Sequence, residues 1–201
     1  MRIDERDCAM KWKLLTRSDY VTANWSGGTT TQLAISPEGA AYADRDFLWR
    51  LSSATVELEH SDFTPLPDYD RLLAVLEGEI RLKIGRDEPF ALVPGQVAAF
   101  DGGVPVESWG RCVDFNLMVR KGKGSGSVDW LRREEAYEHT IRPEARTRGL
   151  AVYCVSGKIC LPEFGLEARA GQTLLCGEGQ NEAFTVKGEP GAAMVACVRE
   201  L

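Results

Sequence analysis

The chain has 201 residues and a mass of 22.2 kDa, with 44% hydrophobic and 27% charged residues. That is enough for one large domain or two small ones and excludes a mainly disordered chain. Lys and Arg number 24 against 30 Asp and Glu, a formal charge of −6. This argues against nucleic acid as a partner, because nonspecific binding to it rests on neutralising phosphates.

The first eleven residues, MRIDERDCAMK, place charges where a secretory leader needs an apolar stretch, and nowhere do about 18 apolar residues run together. The expectation is a cytoplasmic protein without a membrane partner. From Asn24 to Gln32 the chain reads Asn-Trp-Ser-Gly-Gly-Thr-Thr-Thr-Gln. Adjacent glycines let a backbone approach a ligand or another strand closely, and three hydroxyls with an amide offer many hydrogen-bonding groups. The alternative is a turn entering a strand, with Trp25 in the core.

Residues 47–58 alternate as a strand, which puts Leu48, Arg50, Ser52, Ala54, Val56 and Leu58 on one face. Arg50 thus shares a face with apolar neighbours, and a buried guanidinium needs either a protein acid or a ligand carboxylate. Residues 72–84 and 96–100 also read as strands. In residues 112–119, Val113, Phe115, Leu117 and Val119 form an apolar face, and Asp114, Asn116 and Met118 the other. Asp114 and Asn116 either line a pocket or face water, and Asp114 is also a natural internal partner for Arg50 or Arg71. The run Lys-Gly-Lys-Gly-Ser-Gly-Ser over 121–127 reads as a linker, residues 127–137 as a weak helix, and 150–161 and 184–186 as strands. Six cysteines, at 8, 112, 154, 160, 176 and 197, lack any Cys-x-x-Cys pair and read as reduced, mostly core thiols. Short strands between turn residues indicate an all-β sandwich or barrel.

One unit occurs twice. Leu-Ala-Val-Leu-Glu-Gly-Glu-Ile-Arg-Leu (73–82) aligns with Val-Tyr-Cys-Val-Ser-Gly-Lys-Ile-Cys-Leu (152–161), pairing Gly78 with Gly157. Downstream, Gly95-Gln96 pairs with Gly171-Gln172, each leading into another strand. This pattern of strand, Gly turn, strand, Gly-Gln turn, strand resembles the cupin family of small β-barrels, and two copies imply a bicupin. Metal-binding cupins place two His and a Glu ahead of the first Gly turn. Here Arg71 stands at the Glu position, Thr64 to Pro67 span the His positions, and the later His position falls on Val106. None of these ligates a transition metal. Pro143 to Arg146 and Leu150 leave the second copy equally without ligands. The two histidines, His60 and His139, lie off the pattern and read as surface or loop residues. The expectation is therefore no metal and no cofactor, with an arginine at the barrel mouth that suits a carboxylate. An ion pair of Arg71 with Asp68 or Asp70 is the alternative.

Five ordered motifs sharpen the resemblance. Trp25-Ser-Gly-Gly-Thr with Gln32, then Phe-x-Trp-Arg-x-Ser-x-Ala-x-Val from Phe47, Asp62-Phe-Thr-x-Leu-Pro67 with Arg71, Leu76-Glu-Gly78 with Phe100-Asp-Gly-Gly103, and Asp114-Phe-Asn-Leu-Met118 resemble the HutD/Ves family of bicupins. Two positions depart from it: Ser26 stands where the family usually has Asn, and Asp68 where it has a glycine. The resemblance implies an association with histidine utilisation, a ligand such as N-formylglutamate, and a binding or regulatory role. It also supplies the candidate ligand contacts Trp25, Thr29, Gln32, Arg50, Ser52, Arg71, Asp114, Asn116 and Met118.

The expected organisation is residues 1–120 as an N-terminal segment with the first barrel, 121–127 as linker, and 128–201 as a second, degenerate barrel. The expected function is metal-free binding of a small carboxylate metabolite. The alternatives are a metal-independent isomerase or hydrolase using Asp114 or His60 as base, and a protein-interaction scaffold. Barrel edges that can pair leave room for a homodimer.

Overall fold

The computed structural model describes residues 12–177, 179–180 and 182–201. The chain is built from antiparallel strands: β1 (Trp12–Leu15), β2 (Val21–Trp25), β3 (Gly28–Ser36), β4 (Trp49–Val56), β5 (His60–Phe63), β6 (Tyr69–Gly78), β7 (Ile80–Ile84), β8 (Phe90–Leu92), β9 (Val97–Asp101), β10 (Val106–Trp109) and β11 (Cys112–Arg120). There follow β12 (Gly124–Arg133), β13 (Tyr137–Ile141), β14 (Thr147–Ser156), β15 (Lys158–Leu161), β16 (Leu166–Arg169), β17 (Thr173–Cys176), β18 (Phe184–Gly188) and β19 (Gly191–Glu200). Three short 3-10 turns are the helical structure among the described residues, and no helix there is long and apolar enough to cross a membrane.

Two compact units result: residues 20–126, and residues 127–201 together with 12–19. In the first, a six-stranded sheet runs β2-β3-β4-β11-β6-β9 and a four-stranded sheet β5-β10-β7-β8. Both sheets contribute to one core, with Val56, Leu73, Val75 and Phe100 from the larger and Phe63, Ile80, Leu82 and Val106 from the smaller. The strand alternation read for residues 112–119 holds: Asp114, Asn116 and Met118 share a face, while Phe115, Leu117 and Val119 are buried on the other.

The second unit repeats this plan with sheets β1-β17-β14-β19-β12 and β13-β18-β15-β16. Its interior is filled by Leu150, Val152, Ile159, Leu161, Leu174, Phe184 and Val195. Trp12 closes it from β1, with ring contacts to Phe184 at 5.2 Å and Phe164 at 5.4 Å.

The sequence repeat is a structural one. Gly78 and Gly157 take φ of 81° and 77° between β6 and β7 and between β14 and β15. A Cβ would stand 2.5 Å from the Arg111 carbonyl at one and 2.6 Å from that of Pro190 at the other, so both steric freedom and space demand glycine. The Gly-Gln turns also match in detail. The Gln96 side chain accepts from the Val93 N–H at 3.3 Å, and that of Gln172 from the Arg169 N–H at 2.8 Å. Each glutamine caps its own turn.

Three features differ from the sequence expectations. In the run 121–127, which holds the boundary between the two units, residues 124–127 already belong to β12, and Gly126 packs against Leu72, Leu117 and Val119 with no room for a side chain. The helix expected over 127–137 is absent: β12 extends to Arg133 beside β19, and β13 begins at Tyr137 and pairs with β18. Val128 and Leu131 are buried in the strand, so sheet pairing overrides the weak helical spacing. The N-terminal segment belongs with the second unit, because Trp12 to Leu15 pair in register with Cys176 to Thr173. Among the described residues no disulfide forms, and burial pushes the Cys112 and Cys154 thiols up to about 12 and about 11, far from thiolate chemistry. Cys8 lies outside the described residues.

Candidate functional site

The inward face of the first unit changes character along its strands. Val56, Leu73, Val75 and Cys112 pack the apolar core, whereas further along the same strands Arg50, Ser52, Arg71, Asn116 and Met118 line a cavity of about 250 Å³. Register explains the grouping: Asp114, Asn116 and Met118 on β11 face Ala54, Ser52 and Arg50 on β4, and Met118 faces Arg71 on β6. Trp25, Thr30, Tyr42, Arg45, Phe63 and Thr64 complete the wall.

Arg50 is 4% exposed and held by side chains of its own sheet. Its Nε donates to Gln32 Oε1 at 3.0 Å and its Nη1 to Ser52 Oγ at 2.9 Å. The guanidinium stacks 4.3 Å from the Tyr42 ring centroid, and burial lowers its pKa.

Arg71 is 6% exposed, lying 5.2 Å and 5.3 Å from the ring centroids of Phe63 and Phe100. Its Nε is buried without a hydrogen-bond partner. Burial brings the guanidinium down to about 10, so it stays charged near neutrality. Gly102 makes room for its stem: a Cβ there would meet Arg71 Cδ at 3.2 Å and the Tyr69 and Leu66 carbonyls at under 3 Å. Among the described residues, no carboxylate pairs with Arg50 or Arg71 within 4.0 Å, so the alternative of Arg71 bridging to Asp68 or Asp70 is not realised.

Asp114, 4% exposed, accepts the Ala54 N–H at 3.0 Å. Burial pushes its carboxyl up to about 7, outweighing the lowering by that hydrogen bond and by the charges of Arg71 and Arg50. Burial thus favours its protonated form far more than for an ordinary carboxyl. Asn116 Oδ1 is buried with no donor. The cavity thus presents cationic donors and one unfilled acceptor.

Of the residues singled out in the sequence, Trp25, Arg50, Ser52, Arg71, Asp114, Asn116 and Met118 line this cavity. Gln32 stands behind the wall and fixes Arg50. Thr29 does not line it: on β3 it pairs with Thr55, and strand alternation turns it to the opposite face from Thr30, which pairs with Ala54 and does. Tyr42 and Arg45 were not singled out, because the irregular segment 37–48 offers no periodicity to read. His60 lies elsewhere, in an exposed group with Asp62 and Glu107 beside Trp109, where Lys83 already neutralises Glu107 at 3.0 Å.

The cavity does not fit a transition metal. Its lining holds no histidine or cysteine, burial pushes its one carboxyl toward the neutral form, and three guanidiniums repel a cation.

The paired antiparallel sheets make an all-β fold that is cupin-like. The bacterial pirin YhhW of Escherichia coli, solved in complex with nickel(II), shows the same fold at a TM-score of 0.64, with 11% identity over 94% of this chain and 99% of that one. The chain belongs to the HutD family, whose model matches residues 17–194. HutD from Pseudomonas fluorescens SBW25 superposes with a TM-score of 0.76 at 21% identity, covering 94% of this chain and 99% of its own. PA5104 from Pseudomonas aeruginosa PAO1 superposes with 0.77 at 26% identity, covering 94% and 98%. No curated protein matches the chain.

Proposed function

We propose that this protein binds a small carboxylate metabolite in the cavity of residues 20–126 and serves, without a metal, as a cytoplasmic ligand-responsive regulator of histidine or amino-acid utilisation. The observation that carries this reading is the pair of buried guanidiniums, Arg50 and Arg71, that line a cavity whose one carboxyl, Asp114, forms no ion pair with either within 4.0 Å and is itself pushed toward its neutral form by burial. Burying a charge without a partner costs several kcal/mol, and a ligand carboxylate offsets that cost with charge-assisted hydrogen bonds. Arg71 Nε and Asn116 Oδ1 are the unfilled donor and acceptor, which suits a ligand carrying an acid and an N–H, such as an N-acylated amino acid of the N-formylglutamate kind. Each unit is read as a cupin barrel; the second, filled by its own side chains and Trp12, serves as scaffold.

A metal-independent isomerase or hydrolase is the second reading, favoured by one observation: a buried carboxyl titrating near neutrality is poised for proton transfer. Calorimetric titration of the metal-stripped protein with N-formyl-L-glutamate, glutamate and urocanate tests the first reading. Saturable binding of the formylated acid supports it, and silence from all three removes it. Consumption of the bound acid, followed by NMR, would transfer the assignment to an enzyme.

A further inference from the structure

The segment between β3 and β4 carries a third guanidinium, that of Arg45, to the cavity. Residues Tyr42–Asp44 form a 3-10 turn, and Arg45 after it adopts the left-handed conformation, φ 56° and ψ 31°. For a residue with a side chain this is strained by about 1 kcal/mol or more, and such strain persists where the surroundings impose it. The surroundings here are specific. Arg120 Nη2 donates to the Arg45 carbonyl at 2.6 Å and its Nε to the Phe47 carbonyl at 3.1 Å, while Tyr69, stacked on Phe47 at 4.3 Å, also donates to that carbonyl.

So fixed, the Arg45 guanidinium lies 3.7 Å from the Tyr42 ring centroid, and Arg50 lies 4.3 Å from the same centroid. Both cations therefore lie over a single aromatic ring. The arrangement brings two like charges near each other, and Arg45 indeed lowers the pKa of Arg50. Arg45 Nη1 is buried with no hydrogen-bond partner. A strained backbone, a repelling neighbour and an unfilled donor all sit at one cavity-lining residue, and an acceptor anion in the cavity relieves the last two together.

We infer that Arg45 binds a second anionic group of the ligand and makes the cavity selective for dicarboxylates over monocarboxylates, with the Tyr42 ring holding its guanidinium beside that of Arg50. This rests on the carboxylate reading above and adds to it a selectivity residue on a different segment. Arg50 and Arg71 take the first carboxylate, which both ligand classes share, and Arg45 meets what only the dicarboxylate has.

The test is calorimetric titration of the full chain and of Arg45→Gln with succinate, glutarate and adipate, each against the monocarboxylate of equal chain length (butyrate, pentanoate and hexanoate). Wild-type protein is expected to bind at least one diacid tenfold or more tighter than its monoacid, the worth of one charge-assisted contact. Arg45→Gln is expected to bring that ratio to within about threefold, diacid affinity falling more than monoacid affinity, in protein whose thermal melt shows it folded. Wild-type protein without diacid preference, or a variant that keeps the preference, overturns the role of Arg45 alone. Wild-type protein that binds N-formyl-L-glutamate but none of the six acids overturns this inference alone, and silence from all seven overturns the carboxylate reading with it.

Discussion

Replacing Asp114 with Asn is the perturbation with the most defined consequence. The asparagine keeps an oxygen for the Ala54 N–H, which Asp114 accepts at 3.0 Å, and removes the titration. In the folded protein burial holds the Asp114 carboxyl at about 7 against an ordinary value of 3.8. The folded state therefore binds the proton more tightly than the unfolded chain. Its contribution to stability is full below about pH 3.8, declines as pH rises through the window, and is lost above about pH 7. At about 1.4 kcal/mol per unit the whole window amounts to roughly 4 kcal/mol, of which about 2–3 kcal/mol falls between pH 5 and pH 8. The other titrating groups are common to both proteins, so the difference in unfolding free energy between D114N and wild type isolates this site. Urea unfolding followed by tryptophan fluorescence at pH 5, 6, 7 and 8 should show D114N gaining about 2–3 kcal/mol on wild type across the series. A difference that stays flat, or that shrinks as pH rises, would mean that Asp114 is ionised and held by Arg50 and Arg71, and would refute the reasoning.

Carboxylate affinity should fall as pH rises through about 7, by up to tenfold per unit, because an ionised Asp114 repels the ligand; D114N should flatten that profile in calorimetry. Arg71→Met should abolish carboxylate binding while leaving thermal stability equal or higher, since an apolar chain between Phe63 and Phe100 removes an unpaired buried charge. A lower melting temperature would contradict this. Gly78→Ala and Gly157→Ala should each destabilise by about 1–3 kcal/mol in denaturant titrations, as both need a positive φ and both would drive a Cβ into a carbonyl. A neutral result at either would break the equivalence of the two turns.

Much of this was legible in the sequence because it depends on period and on turn chemistry. The alternation on residues 112–119 separated Asp114 and Asn116 from Phe115 and Leu117, and the two Gly-Gln turns revealed the repeat, because a positive φ and a self-capping glutamine leave a local signature. Which face points inward was not legible, since both faces of β11 are buried and the choice is made by the strands on either side. Thr29 and Thr30 show the same limit at single-residue scale: a one-residue shift of register exchanges them. Arg45 and Tyr42 left no pattern at all. Their placement depends on hydrogen bonds from Arg120, 75 residues away in the chain, to carbonyl groups in an irregular segment. In the run 121–127 composition hid a strand for the complementary reason: Gly126 answers a close approach by Leu117 and Val119, whereas Gly122 has open space around it, and composition alone does not distinguish the two.

The most direct test of the central claim is a crystal structure of the protein soaked with N-formyl-L-glutamate. A carboxylate accepting from Arg71 Nε and reaching the Arg50 guanidinium, with the ligand N–H on Asn116 Oδ1, is the result expected. A ligand bound elsewhere, or density at the cavity with both guanidiniums left without an acid partner, would contradict it.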